Sequence, residues 1–248
     1  MKHLIRANTC RVFRGLGIYV TIILIFSMSS YIALANTAPF FGIVNYGPDT
    51  IQVIFNGFSN FVHLPLALAI FVSGALFTYG AIANELAFGL SRAKIYFSHL
   101  MLGSALCIVL VLVFILWSVF LGSIINGFGN MPLGFWLEKT GILGVMLIHL
   151  LALSSLATFL VFTLKRTSIT IGAFFAYLIV PRLLVEMSSV INPNFLRFRA
   201  FDLVYSIVLM AQMPYLEAAQ VHQAIAVAMG IIVLTTCIGI ILFEFRDV

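Results

Sequence analysis

A short polar stretch between two long apolar blocks reads Asn84-Glu85-Leu86-Ala87-Phe88-Gly89-Leu90-Ser91-Arg92-Ala93-Lys94-Ile95-Tyr96-Phe97-Ser98-His99. The apolar blocks are residues 61–83 before it and residues 100–124 after it. Gly89 can adopt the left-handed backbone conformation that ends a helix, and Ser91 is a favourable N-cap for the next one. The pattern therefore predicts two membrane helices joined by a polar bridge, residues 84–99.

The bridge carries two cations in electrostatically unfavourable positions. Arg92 and Lys94 fall in the first turn of the helix that follows Ser91, and a helix dipole disfavours positive charge at its N-terminus. We therefore expect these side chains to interact with lipid headgroups or with a partner. The alternative is that they only mark the cytoplasmic side of the membrane.

The composition excludes a water-soluble globule. Of the 248 residues, 62% are apolar and 8% are charged, and the mean hydropathy is +1.16, whereas about a quarter of the residues in soluble domains are charged. Long unbroken apolar runs predict membrane-spanning helices rather than a barrel. The net charge of +5 is dispersed among these runs. Orientation in the bilayer explains it, and nucleic acid is not expected as a partner.

Six apolar runs are long enough to cross a bilayer, which predicts an all-α integral membrane protein with a single transmembrane domain over residues 1–248. The predicted spans are residues 16–35, 61–83, 100–124, 141–164, 169–187 and 224–243. The first run has 20 residues, which is longer than the roughly 7–15 residues of a signal-peptide core. We therefore interpret it as an uncleaved membrane helix.

The basic residues predict the orientation of the spans. With the N-terminus in the cytoplasm, six spans place nine of them on the cytoplasmic side: Lys2, Arg6, Arg11, Arg14, Arg92, Lys94, Lys165, Arg166 and Arg246. Three basic residues face outwards: Lys139, Arg197 and Arg199. Because this bias follows the positive-inside rule, both termini and the bridge are predicted to be cytoplasmic.

A short apolar segment lies between the fifth and sixth spans. Asn192-Pro193-Asn194 indicates a turn, and residues 203–211 then form an apolar run. This run is too short to cross a bilayer. We expect a re-entrant or interfacial segment there, on the outer side.

Four ionisable residues lie within the predicted spans: His63, His149, Arg182 and Glu186. Such residues are functional candidates by default. His63 falls near the outer end of its span, where the interface tolerates a polar tip. His149 lies among small residues, which favours a packed, hydrogen-bonded role. Arg182 and Glu186 are four residues apart on one helix face, so they can form a structural ion pair or a polar site near the outer mouth.

The bridge resembles a known family of membrane proteins. An acidic residue at the end of the second span, followed by Gly-x-Ser-Arg-x-Lys-Ile before the third, is similar to the permease subunits of ABC-2 type transporters. The matching residues are Glu85, Gly89, Ser91, Arg92, Lys94 and Ile95. Further points of resemblance are the re-entrant segment and the ending Glu244-Phe245-Arg246-Asp247-Val248. The chain departs from the family in two places, since no Gly-Thr pair follows Glu85 and His99 stands where a second lysine is common.

The resemblance implies a non-catalytic permease subunit of an ATP-driven exporter in the plasma membrane of a bacterium. Two such subunits, identical or different, would line one path, and two separate ATP-binding subunits would dock on the bridge. The N-terminal tail would assist docking or lie on the membrane surface. The implied substrate is hydrophobic or amphipathic, such as an antimicrobial peptide, in export or in self-protection. No cofactor or metal is expected in this chain.

Motifs for nucleotide binding and for hydrolysis do not occur in the sequence. None of the four lysines follows a glycine, so the chain has no P-loop, and neither His-Glu-x-x-His nor Gly-x-Ser-x-Gly is present. The alternative function is a self-contained secondary transporter or channel that uses His63, His149 or the pair of Arg182 and Glu186. The two halves of the chain differ in their inner connections, which counts against the inverted repeats expected of such a transporter.

Overall fold

The described part of the chain is built almost entirely of helix. The computed structural model describes residues 2–35, 48–78, 80–127, 132–212 and 218–245. About 94% of these residues are helical, and no strand occurs among them. Because lipid offers no hydrogen-bond partner to the backbone, a helix is the form that long apolar runs adopt in a membrane. The predicted all-α class is confirmed.

The described residues form ten α-helices and one 3-10 helix. They are α1 (Lys2–Arg14), α2 (Leu16–Ala35), α3 (Pro48–Phe61), α4 (His63–Thr78), α5 (Ala81–Ala87), α6 (Arg92–Asn126), α7 (Leu133–Leu164), α8 (Thr167–Ile191), a 3-10 helix (Pro193–Phe201), α9 (Leu203–Gln212) and α10 (Ala218–Phe245). Six described segments are long and apolar enough to cross a membrane: Leu16–Leu34, Ile51–Ala75, Arg92–Ile125, Leu133–Leu164, Thr167–Ile191 and Ala218–Phe245. The chain therefore has the build of a multi-pass membrane protein.

The second of these segments differs most from its predicted bounds. α3 and α4 follow each other with one intervening residue, Val62, whereas the sequence assigned residues 36–60 to an outer connection. Residues 36–47 of that connection lie outside the described residues. The polar residues of α3 made it resemble a loop, yet Gln52 donates a hydrogen bond to the carbonyl of Ala211 in α9. Hydropathy alone does not detect a helix whose polar side chains bond to other helices.

Other spans extend beyond the apolar runs that predicted them. α6 begins at Arg92 instead of residue 100, α7 at Leu133 instead of 141, and α10 at Ala218 instead of 224. The hydrocarbon core is about 30 Å thick, but the bilayer with its headgroups is about 40–45 Å thick. A membrane helix therefore continues through polar turns at its ends, where the hydropathy signal has already stopped.

The predicted spans placed Lys139 in the connection before residue 141, and that placement is wrong, whereas the side of the membrane on which it lies stays a prediction. The residue lies in α7, and only 4% of its surface is exposed. Its ammonium group donates a hydrogen bond to the side-chain carbonyl of Gln52 and lies 5.6 Å from the centre of the Phe135 ring. These contacts join α7 to α3, and Gln52 continues the connection to α9. A buried polar group is tolerated because it has partners.

α7 forms the centre of the helix bundle and packs against α4, α6, α8, α9 and α10. The small residues on which close packing was predicted are all buried: Ala152, Ser154, Ser155 and Ala157. Ser154 accepts a hydrogen bond from Ser104 of α6 at 3.1 Å, and Ser155 lies 2.7 Å from the hydroxyl of Thr235 in α10. Small residues let helices approach closely, and hydroxyls then bond across the interface.

The short apolar helix predicted between the last two spans is present as α9. It packs against α3 and α7 and buries Leu203, Ile207 and Met210. Asp202 caps its N-terminus, because one carboxylate oxygen accepts hydrogen bonds from the amides of Val204 and Tyr205 at 2.9 and 3.1 Å. Its re-entrant or interfacial location in a membrane stays a prediction.

One end of the bundle gathers several connections. We call α5 and the turn at residues 88–91 the elbow, and the end of the bundle on which it lies the elbow end. Asn8 of α1 is 3.2 Å from His99, two turns into α6, and Arg92 at the start of α6 contacts the last turn of α10. The α7–α8 turn at Lys165 and Arg166 lies at this end as well, because Phe162 just before it packs on Phe243.

Candidate functional site

The elbow is built by two glycines that bracket a short helix. Gly80 precedes α5 with a φ of 64°, and Gly89 follows it with a φ of 76°. The amide of Gly89 donates to the carbonyl of Leu86 at 2.9 Å, and the amide of Leu90 donates to that of Glu85 at 3.3 Å. This pair of bonds is a Schellman motif, which needs a left-handed residue at the position of Gly89. The predicted role of Gly89 in ending a helix is confirmed.

Ser91 occupies the predicted N-cap position of α6 but does not use its side chain as a cap. Its backbone is extended, with φ −67° and ψ 144°, and its side chain makes no capping hydrogen bond. The carbonyl of Ser91 accepts the first helical bond from the amide of Ile95 at 3.1 Å. The helix thus begins where the sequence indicated, while the hydroxyl contributes nothing to the cap.

Arg92 has a partner within the chain itself. Its guanidinium donates hydrogen bonds to the carbonyls of Phe243 and Glu244 at 2.8 and 3.2 Å, and lies 5.7 Å from the centre of the Phe243 ring. These carbonyls belong to the last turn of α10, where the helix dipole favours a cation. The position is unfavourable for α6 and favourable for α10. Arg92 thus has a partner within the chain, and its contact with lipid headgroups or with a partner protein stays a prediction.

The remaining bridge residues divide into a buried base and an exposed tip. Ile95 is fully buried and Glu85 is 8% exposed. Gly89, Ser91 and Lys94 are exposed. Three of the six residues matched to the permease family are therefore available to a docking protein, and the other three hold the elbow on the bundle.

Phe88 is a candidate contact residue that the sequence analysis missed. It lies at the tip of the elbow, next to Gly89, and 86% of its side chain is exposed. A large aromatic residue one position before a helix-ending glycine was the signal that could have identified it. An aromatic side chain that leaves the protein at the tip of a turn is typical of residues that enter a pocket on another protein.

Below the elbow, four aromatic rings connect four spans, α4, α6, α7 and α10. The ring of Phe162 in α7 has its centre 5.2 Å from Phe77, 5.0 Å from Tyr96 and 4.9 Å from Phe243. The Tyr96 hydroxyl also donates to the carbonyl of Thr235 in α10 at 3.2 Å. Edge-on pairs of this kind stabilise packing beyond the area that they bury. The base of the elbow is thus fixed to α4, α7 and α10.

The two intramembrane histidines lie apart, each with its own neighbours. His149 is fully buried in α7, and its Nδ1 donates to the carbonyl of Val145 at 2.9 Å, while its Nε2 has no partner. The packed, hydrogen-bonded role predicted for His149 agrees with this geometry. His63 lies at the start of α4 with its ring centre 6.4 Å from that of Phe175 in α8.

The predicted pairing of Arg182 with Glu186 is present on α8. The Nε of Arg182 is 3.2 Å from a carboxylate oxygen of Glu186, and Arg199 approaches the same oxygen at 3.9 Å. The side chains of Arg182 and Glu186 are 54% and 42% exposed. Apart from the approach of Arg199, the pair is half-exposed, so it adds little to the packing of the helices.

The described residues contain no group of three or more His, Cys, Asp or Glu side chains that could hold a metal ion. Comparison with known proteins finds no family model that matches the chain and no curated protein with significant similarity to it.

Proposed function

We propose that the chain is the permease subunit of an ATP-driven exporter of the ABC-2 type in a bacterial plasma membrane. The observation that carries the proposal is the elbow, which has an exposed tip at Phe88 and a buried base at Glu85 and Ile95. An element that is exposed at its tip and packed at its base is suited to receive a partner protein and to transmit its movement. We assign this role to a separate ATP-binding subunit.

The contacts of the elbow support this mechanism. α5 follows α4 along the chain, the turn leads directly into α6, and Arg92 bonds to the end of α10. A displacement of the tip would therefore move three spans together, as in rigid-body switching between inward and outward access. Exposed Lys94 and Arg166 lie at the elbow end, which supports the assignment of this end to the cytoplasm.

The exposed face of α8 supports a path shared with a second permease subunit. Arg182 is nine residues before the end of α8 at Ile191, which corresponds to about 14 Å along the helix axis. Charged residues at such a depth almost always face a protein interior or a wet cavity. Since this face is not covered by the chain itself, we propose that it lines the path between two permease subunits, identical or different.

The side chains on the same face of α8 support the proposal that the substrate is amphipathic, such as an antimicrobial peptide. Ile179 and Val190 are 53% and 87% exposed, and they lie three residues before Arg182 and four residues after Glu186, on the same helix face as the ion pair. The face therefore combines apolar side chains with both signs of charge. A peptide with apolar and cationic side chains would find partners for both.

The test replaces the tip of the elbow without touching its base. Phe88→Asp is expected to abolish co-purification of the ATP-binding subunit and to lower ATP-dependent transport in vesicles at least tenfold, because exposed aromatic anchors dominate binding energy. Phe198→Asp is the matched control, since Phe198 is 54% exposed in the 3-10 helix, away from the elbow. Wild-type transport by the Phe88 variant would remove the elbow from the mechanism. If no ATPase co-purifies with the wild-type chain, the proposed function is wrong.

A self-contained secondary transporter is the second candidate. The observation that favours it is the buried Nε2 of His149, which has no hydrogen-bond partner and could take up a proton. Uptake driven by an ion gradient, measured with the purified chain alone in vesicles, would support this candidate. His149→Gln would then abolish uptake, whereas an ATP-driven subunit would retain transport in that variant.

A further inference from the structure

A groove of about 600 Å³ lies between α1, α2, α4 and α6. This volume falls within the range of about 300–1,000 Å³ that is usual for small-molecule sites. Its walls are apolar along most of their length, with Leu24, Leu64 and Phe71 among the lining residues. Several residues of its rim face away from the protein, including Leu16, which is 78% exposed, and Val20, which is 46% exposed. The groove is therefore open towards the surrounding membrane.

The length of the groove matches one leaflet of a bilayer. On α4 its lining runs from Leu64 to Ala75, two residues that are eleven positions apart, which is about 16 Å along a helix. Half of the hydrocarbon core of a bilayer is about 15 Å thick. An extended hydrocarbon chain that enters at the elbow end would therefore reach the membrane centre within this groove.

Only the elbow end of the groove is strongly polar. Asn8 of α1 and His99 of α6 line it there, and their side chains lie 3.2 Å apart. Both are almost fully buried, at 2% and 1% exposure. α1 thus crosses the end of the groove and closes it with a hydrogen-bonded pair, while the side towards the membrane stays open.

An exposed cation borders the groove. Arg14 is exposed, and the next two residues, Gly15 and Leu16, both line the groove. A guanidinium group at the membrane surface attracts anionic headgroups and binds phosphate oxygens in a bidentate manner. Apolar walls of one-leaflet length with an exposed cation at the rim are complementary to an anionic phospholipid.

We propose that this groove holds one acyl chain of an anionic phospholipid from the leaflet at the elbow end, with the phosphate at Arg14. The lipid is a structural ligand that fills the space between α2 and α4 and joins α1 to the bundle. This inference concerns the chain in its membrane and does not depend on the proposed transport function.

The test uses a tryptophan reporter and brominated lipids, which quench its fluorescence on contact. Val20→Trp, in a background with Trp117→Phe and Trp136→Phe, places the reporter at the rim of the groove, four residues from the start of α2. Val233→Trp is the matched control, because Val233 is 55% exposed on α10. It lies two residues from Thr235, whose hydroxyl bonds to Ser155 at the level of Gly103 and Gly17, so its depth is similar to that of Val20. Vesicles contain brominated phosphatidylglycerol or brominated phosphatidylcholine.

At Val20→Trp we expect about a fivefold preference for phosphatidylglycerol, since one basic residue near the membrane surface contributes roughly this factor. At Val233→Trp we expect a ratio near one. Arg14→Gln should bring the Val20→Trp ratio to about one, whereas Arg166→Gln, which removes an exposed cation at the elbow end, should leave it unchanged. Equal ratios at the two reporters, or a ratio that survives Arg14→Gln, would overturn the proposal.

A groove covered by a second copy of the chain or by a peptide would show no quenching at Val20→Trp by either lipid, which would also overturn the proposal. Native mass spectrometry of the otherwise unchanged protein gives an independent measurement without tryptophan replacement. It should detect one phosphatidylglycerol per chain in the wild type and in Arg166→Gln, and none in Arg14→Gln. Equal lipid retention by the two variants would count against the site.

Discussion

The fourth span, α7, and the last two spans, α8 and α10, are all strongly apolar, but α7 is mostly buried within the chain and the other two are mostly exposed. The most apolar stretch of α7 has a mean hydropathy of 2.3 and is 72% buried within the chain, whereas that of α10 has a mean hydropathy of 2.7 and is 11% buried. α8, with a mean hydropathy of 1.8, is 17% buried. The most apolar of these three helices is therefore the most exposed. Burial in this bundle does not follow hydropathy.

Burial does not follow hydropathy because the solvent around these helices is lipid. Lipid is as apolar as leucine, so apolarity moves a helix into the membrane but does not choose its neighbours. Packing makes that choice, and the buried residues of α10 illustrate the rule. Of its four buried residues, Ala224, Ala228 and Gly239 are small and only Phe243 is large, while Leu234 is 60% exposed. The comparison shows that the interior face of α10 is marked mainly by small residues rather than by the most apolar ones.

The largest expected effect is a difference in the free energy of unfolding between two leucine-to-alanine variants, one at the centre of α7 and one on the outer face of α10. Leu153 is fully buried, so Leu153→Ala should lower the free energy of unfolding by about 2–4 kcal/mol through lost packing and a residual cavity. Leu234→Ala should change it by less than about 0.5 kcal/mol. Unfolding by sodium dodecyl sulfate in mixed micelles measures both. Equal losses would mean that α10 is as buried as α7, and the comparison would fail.

The next prediction addresses the face that α10 turns towards the protein. A Cβ at Gly239 would lie 2.7 Å from Cζ of Tyr96, whose ring is fully buried, while a Cβ at Gly230 on the same helix would meet nothing within 4 Å. Gly239→Ala should therefore destabilise the protein by about 1–3 kcal/mol, because the ring has little room to move. Gly230→Ala should be neutral or slightly stabilising. The same unfolding measurement distinguishes them, and a tolerated alanine at position 239 would show that α10 packs less closely.

The smallest effect is expected on α8. Arg182 and Glu186 form an exposed pair, and exposed pairs contribute about 0–1 kcal/mol. Arg182→Gln and Glu186→Gln should each change the free energy of unfolding of the isolated chain by less than about 1 kcal/mol. ATP-dependent transport should nevertheless fall in both variants if this face lines the path. A loss of more than about 2 kcal/mol would instead identify the pair as structural, in agreement with the simpler interpretation of its spacing.

The elbow shows how far local sequence signals reach. Gly89 as the residue that ends α5 and Ser91 as the N-cap position of α6 were both predicted from residue type and order, because these preferences depend on the adjoining backbone. The partner of Arg92 could not be predicted in this way, since the carbonyl that it binds belongs to a residue 151 positions away. The exposure of Phe88 likewise depends on how the elbow leaves the bundle.

The errors have a common origin. α3 resembled a loop and Lys139 resembled a loop residue because hydropathy assigns every polar side chain to water. In the folded chain the two meet through Gln52, whose amide bonds to α7 and α9 at once. A polar residue that is satisfied by a distant helix gives the same local signal as one that is solvated. Only the arrangement of the helices distinguishes the two cases.

The sequence by itself determined that the chain is helical, that six segments can cross a membrane, and where the elbow turns. These properties follow from side-chain apolarity and backbone preference, which act within a few residues. The tertiary structure alone decided that α7 is the centre, that Arg92 caps α10, and that a one-leaflet groove opens beside α1. Those features depend on the shapes and polar groups of helices that are far apart in the chain, and in lipid no hydrophobic force exists to signal them in advance.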